Sequence, residues 1–104
     1  MGFLSWIRSN KEPQSTNVLA NAIPLPDSND SYIKDGYVIE LHPFGTSGLR
    51  HVYHLSEIAE KTPGVFSKGK HLGYWSIAGT REDAYLLACE RIQGLLLEEA
   101  GIEP

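Results

Sequence analysis

The chain has 104 residues, a single cysteine and a net charge of −4 at neutral pH. This length corresponds to one domain, and one cysteine excludes an intramolecular disulfide, so packing alone must hold the core. A disulfide-free domain suits a reducing compartment, and we expect a cytoplasmic protein. The charge is too small for an acidic tail, and no apolar run approaches the roughly 20 residues of a membrane-spanning helix.

The N-terminal third divides into an apolar segment and a polar one. Residues 1–8 contain the large apolar side chains Phe3, Leu4, Trp6 and Ile7. This run is too short for a signal peptide, so we predict a docking segment that covers apolar surface on this chain or on a partner. Residues 9–31 are rich in Ser, Asn, Pro and Asp, and they predict a linker that can include a short edge strand.

Residues 32–104 are predicted to form the folded domain, which begins with two antiparallel strands. Apolar and polar residues alternate over 37–42, which is typical of a half-buried strand, and Pro43 ends it. Residues 49–55 predict the returning strand. Its apolar positions place His51 on the core side of the sheet and Arg50, Val52 and His54 on the opposite side.

The stretch after the second strand is predicted to be irregular. Ser56 can cap a single helical turn that ends at Ala59, and a lysine-containing loop then leads to a third strand at 71–78. In that strand we expect Trp75 and Ile77 to face the helix, and Gly73 on the same side allows a bulge or a close approach of the helix.

One long C-terminal helix is the strongest pattern in the chain. Thr80 is a good N-cap with Asp83 three residues later, an apolar-periodic run continues to Leu97, and Gly101 can end the helix. The expected fold class is α+β: a three-stranded antiparallel β-meander packed against one long C-terminal helix, with an irregular N-terminal segment.

The apolar sector of this helix is wider than one sheet face can cover. At 100° per residue it sweeps roughly 220°, whereas a helix on a sheet needs a stripe somewhat over ~100°. The surplus includes Leu86 and Leu97. Either the segment at residues 1–8 folds back on them, or a second copy pairs helix to helix, and the homodimer is the preferred of the two.

The order of three strands and a helix, joined through Gly79 and Thr80, resembles HicB-type antitoxins and the arm-type DNA-binding domains of phage integrases. The resemblance covers about the last two thirds of the chain and consists of element order plus one turn. Many unrelated domains share that pattern, so it assigns no functional residue.

Histidines are the only residues that suggest site chemistry. His51 and His54 point to opposite faces of a strand, so they do not chelate together. His42, His54 and Glu40 share the outer face, but a ligand set without cysteine or a helical His pair is a weak metal site. We therefore expect no metal, no cofactor and no catalytic group, which means that the chain is not an enzyme.

Three classes of function remain, led by a small non-enzymatic domain that binds a protein partner. Its binding residues would come from the apolar segment and the helix edge: Phe3, Trp6, Ile7, Leu86 and Leu97. The alternative is a nucleic-acid-binding domain, because residues 34–81 carry a net charge of +2 against −5 for residues 82–104. That reading uses Arg50, Lys61, Lys68, Lys70 and Tyr74. The third class is a histidine-based metal-binding protein or enzyme.

Overall fold

The computed structural model describes residues 18–101, which form one antiparallel sheet with a long helix across one face. The elements in chain order are a 3-10 turn (Leu19–Asn21), β1 (Ile23–Pro24), β2 (Ser31–Lys34), β3 (Tyr37–Pro43), β4 (His51–Thr62), β5 (Val65–Ala78) and α1 (Arg81–Glu99). Among these residues, no helix combines the length and the apolar character that a membrane span requires. The predicted docking segment, with Phe3, Trp6 and Ile7, lies outside the described residues.

The α+β class is confirmed, but the predicted count of three strands is wrong. The described sheet has five strands in the order β1-β2-β3-β4-β5, each antiparallel to its neighbour. β1 lies inside the range predicted as a linker with a short edge strand. β2 has only four residues between Asp30 and Asp35, which both adopt a positive φ. A strand this short carries too little alternation to stand out in the sequence.

The helical turn predicted from Ser56 to Ala59 is also wrong, because β4 continues through it to Thr62. Pro63 and Gly64 alone connect β4 to β5, and Gly64 has a φ of 83°. The strand forms here instead of the helical turn because β4 makes a ladder of hydrogen bonds to β5, whereas an isolated helical turn has no such ladder.

The core lies between α1 and the face of the sheet that α1 covers. Its buried residues are Ile39, Leu41, Tyr53 and Leu55 of β3 and β4, and Ala84, Tyr85, Ala88 and Ile92 of α1. The inward position predicted for His51 is confirmed: it is 8% exposed and its Nδ1 lies 3.2 Å from the carbonyl oxygen of Leu49.

The predicted orientation of β5 is reversed. Trp75 pairs with His54, which places it on the face away from α1, and Trp75 is 59% exposed. Leu72, Tyr74 and Ala78 pack against the core instead. Large apolar side chains occupy both the odd and the even positions of this strand, so the alternation of apolar and polar residues does not tell which set faces the core. Of the two alternatives predicted at Gly73, the structure has the bulge, with a register shift in the β4–β5 ladder and a φ of 85°.

Both predicted ends of α1 are confirmed. The Thr80 hydroxyl accepts a hydrogen bond from the Asp83 N–H at 3.1 Å, and Gly101 follows the helix with a φ of 78°. Arg81 in the first turn donates to both carboxylate oxygens of Asp30 at 2.8–2.9 Å. Burial opposes charge on that carboxyl, but the hydrogen bonds from Arg81 and Tyr32 prevail and lower the pKa of Asp30. This ion pair ties the start of α1 to the turn before β2.

Two glycines are expected to respond in opposite ways to alanine. A Cβ at Gly69 would lie 2.9 Å from the carbonyl oxygen of Glu57, whereas a Cβ at Gly94 in α1 meets no atom within 4 Å. We expect Gly69→Ala to lower the free energy of unfolding by roughly 1–3 kcal/mol. Gly94→Ala should raise it by roughly 0.5–1 kcal/mol, because alanine is the better helix former. Urea unfolding of both variants checks this, and a neutral Gly69→Ala would contradict the close approach of the β4 backbone.

Candidate binding surface on the outer face of the sheet

The face of the sheet opposite α1 is here called the outer face. Residues paired across antiparallel strands point to the same side, so the register identifies its members. Along β2 to β5 they are Ser31, Ile33, Val38, Glu40, His42, Val52, His54, Ser56, Ile58, Glu60, Phe66, Lys68, His71, Trp75 and Ile77. Within residues 18–101, no helix or second sheet lies on this face, but its centre is not open to solvent, because Val38 and Ser56 are fully buried and Ser31 is 3% exposed.

Three histidines cross the outer face on adjacent strands, and we call them the histidine row. The ring of His54 on β4 lies 5.6 Å from that of His42 on β3 and 5.6 Å from that of His71 on β5, measured between centroids. The Gly73 N–H donates to Nδ1 of His71 at 3.2 Å, so the proton of the neutral ring sits on Nε2. The sequence placed His42 and His54 on this face, but His71 was missed because the phase of β5 was wrong.

The middle member of the row is held in its neutral form. Burial lowers the pKa of His54 below the usual value, and the nearby imidazoles of His42 and His71 lower it further. The Glu40 carboxylate acts in the opposite direction, but it is paired with the Lys68 ammonium at 2.8 Å. The acidic and basic side chains at the centre of the outer face, Glu40 and Lys68, therefore form one internal ion pair.

The outer face is poorly suited to holding a metal ion. In the part of the chain that the structure describes, no three His, Cys, Asp or Glu side chains converge as a ligand set. His42, His54 and Glu40 do share this face, as the sequence predicted. However, the imidazoles form a line across three strands, and Glu40 is already engaged by Lys68.

Trp75 is the most prominent apolar group on this face. It pairs with His54, and the next pair along the ladder is Val52 with Ile77. A large aromatic side chain that is 59% exposed beside β-branched residues is a contiguous apolar surface next to the histidine row. The sequence missed Trp75 as a surface residue for the same reason that it missed His71.

The residues of the nucleic-acid alternative do not come together. Tyr74 lies on the helix side, where the Arg91 guanidinium is 4.9 Å from its ring centroid, and Lys68 is neutralised by Glu40. The Arg50 guanidinium lies 5.6 Å from the ring centroid of Phe44, and both residues lie in the loop before β4. Lys61 and Lys70 are exposed near the β4–β5 turn and on β5.

The two predicted residues of the helix edge do come together. Leu86 and Leu97 line one shallow groove on α1, with Cys89 between them. Leu86 is 36% exposed and Cys89 is half-buried. The structure therefore presents two separate apolar surfaces, the outer face and the α1 groove, on opposite sides of the sheet.

Comparison of the chain with protein-family models, with curated proteins and with solved structures finds no match. The resemblance to HicB-type antitoxins and integrase arm-type domains is thus limited to element order. A function for this chain has to be inferred from its two apolar surfaces.

Proposed function

We propose that this protein is a non-enzymatic interaction domain and that the outer face pairs with the outer face of a second copy. The observation that carries the proposal is an exposed tryptophan, Trp75, beside the histidine row on the sheet face opposite α1. Trp75 and the half-buried Val52 and Ile77 leave apolar surface in contact with water on that face, and such a surface favours a partner.

Charge supports a second copy as the partner. Among the paired outer-face positions, Glu40 and Lys68 neutralise each other, and Glu60 near the β4–β5 turn is the remaining charged side chain. The chain's acidic excess resides mainly in residues 82–104, on α1 and the tail that follows it. Two outer faces can therefore approach with little net repulsion, and a symmetric pair would bury the same residues on both subunits.

The size of the outer face sets the expected strength of pairing. Its open part is confined to β3, β4 and β5, because β1 and β2 have only two and four residues and because Val38 and Ser56 on this face are fully buried. A contact of this size lies at the lower end for specific interfaces, which is roughly 1,000 Å² in total. We expect a reversible dimer that forms with micromolar affinity, corresponding to roughly −8 kcal/mol.

The nucleic-acid alternative has less support, because its cationic residues are dispersed and its aromatic residue Tyr74 lies on the helix side. The enzymatic and metal-binding alternative also has less support, since the histidine row offers no convergent ligand set within residues 18–101.

Sedimentation equilibrium over a range of protein concentrations tests the dimer. We expect the wild-type chain to dimerise reversibly and Trp75→Ser to weaken dimerisation by at least about tenfold, as loss of a buried aromatic anchor does. Phe44→Ser is the matched control, because Phe44 is also an exposed aromatic residue but lies in the loop before β4. The dissociation constant of the Phe44→Ser dimer should equal that of the wild-type dimer.

Two results would contradict the proposal. A chain that stays monomeric at every concentration does not pair with itself. Equal losses in Trp75→Ser and Phe44→Ser would mean that the contact is not centred on the outer face.

A further inference from the structure

The groove on α1 is an apolar surface that pairing through the outer face leaves open. It is lined by Leu86, Cys89, Glu90, Gln93, Gly94 and Leu97. At 100° per residue, Leu86, Cys89, Gln93 and Leu97 fall within a sector of about 80°, turned away from the buried side of the helix at Ala88 and Ile92. The helix therefore carries a second apolar stripe that the sheet does not cover.

The chain before residue 18 starts on the same side of the sheet as this groove. Val18 and Leu19 pack against the core cluster that includes Tyr85, Ala88 and Ile92 of α1. The twelve residues from Trp6 to Asn17 can span roughly 40 Å when extended. The 19 residues of α1 cover only about 28 Å. The N-terminal segment can therefore reach any point of the groove.

Charge favours this segment over a second helix as the occupant. Arg8 follows the apolar run at Phe3–Ile7 directly, Lys11 and Glu12 come shortly after it, and the side chains of residues 1–17 carry a net charge of +1, whereas Glu90 lines the groove. Helix α1 carries five carboxylates against two arginines. Pairing two α1 helices would bring like charges together, whereas the basic residues of the segment are attracted to this surface.

We propose that Phe3, Leu4, Trp6 and Ile7 of the same chain occupy the α1 groove and cover Leu86, Cys89 and Leu97. This contact does not depend on pairing through the outer face, which lies on the opposite side of the sheet. The apolar sector of α1 that the sheet does not cover then contacts the N-terminal segment of the same chain rather than a second copy of the chain.

The thiol of Cys89 is a built-in reporter, because it is the chain's single cysteine and it lines the groove. Its reaction with a neutral aromatic disulfide reagent is followed at a fixed pH in the full chain. We expect the double variant Phe3→Ser/Trp6→Ser to react roughly tenfold faster than wild type, because the covering contact is lost. The matched control Asn10→Ser/Gln14→Ser changes two polar residues of the same region and should leave the rate unchanged.

A second measurement approaches the contact from the groove. In a Trp75→Phe background Trp6 is the remaining tryptophan. Leu86→Glu should then shift its emission to longer wavelength and increase quenching by acrylamide. Leu49→Glu introduces the same change at a residue that is 69% exposed outside the groove, and it should have no effect.

Two outcomes would overturn the fold-back contact. One is a Cys89 reaction rate that is the same in wild type and Phe3→Ser/Trp6→Ser. The other is protection of Cys89 that depends on protein concentration but not on Trp6, which would assign the groove to a second copy. Circular dichroism of each variant separates either outcome from unfolding.

Discussion

Replacing Leu55 with alanine is expected to lower the free energy of unfolding by about 3 kcal/mol, within the range of 2–5 kcal/mol typical of buried leucines. Leu55 is fully buried in β4, where it pairs with Ile39 and packs in the core beneath α1. The loss combines the lost transfer energy of the side chain with the cavity that the rigid sheet cannot close. For a domain of this size the loss is a large share of a total of about 5–15 kcal/mol.

Urea unfolding followed by circular dichroism measures this effect. Leu49→Ala is the matched control, because Leu49 is 69% exposed and should change the free energy of unfolding by no more than about 0.5 kcal/mol. Similar effects of the two substitutions would mean that Leu55 does not lie at the centre of the core. If Leu55→Ala fails to fold, Leu55→Met tests the same site with a loss below about 1.5 kcal/mol.

Acid is expected to weaken the proposed dimer, so that the dissociation constant is higher at about pH 5.5 than at about pH 7.5. In the folded chain burial lowers the pKa of His54 from the usual 6.5, and His42 and His71 lower it further. Pairing of two outer faces would remove more water from around His54 and lower its pKa further. The separated chain thus binds protons more readily than the dimer, so dimer stability is present above about pH 6.5 and is lost as the pH falls through the lowered pKa.

The groups that face His54 determine this response. His42 and Glu40 lie on β3, and His71 and Lys68 lie on β5. Lys68 and the two imidazoles disfavour its protonation, and Glu40 favours it. Sedimentation equilibrium at several pH values measures the dissociation constant, and His54→Gln should reduce its dependence on pH. A dimer whose dissociation constant is the same at both pH values would contradict burial of the histidine row in the interface.

The helix, β3 and the start of β4 were predictable from local signals. Thr80, Asp83 and Gly101 act within one or two turns of their own positions, so the ends of α1 follow from short-range chemistry. The alternation over residues 37–42 and the inward position of His51 are equally local.

The candidate surface was predicted only in part, because its membership depends on the phase of β5. His42 and His54 were placed on the outer face from their own strands. His71 and Trp75 were not, since Leu72 and Tyr74 compete with Trp75 and Ile77 as core residues in the same strand. The bulge at Gly73 adds residues to β5 relative to β4, and the effect of that addition on pairing cannot be read from β5 alone.

By itself, the sequence determined the α+β class, the position and caps of α1, and the core face of β3 and the start of β4, because each depends on periodicity and capping within a few residues. Only the tertiary structure decided the five-strand count, the long β4–β5 hairpin and the side on which Trp75 lies. These features depend on hydrogen bonds and burial between residues far apart in the chain. A short strand such as β2, or a strand with apolar residues in both phases such as β5, adopts its place only when its neighbours are present.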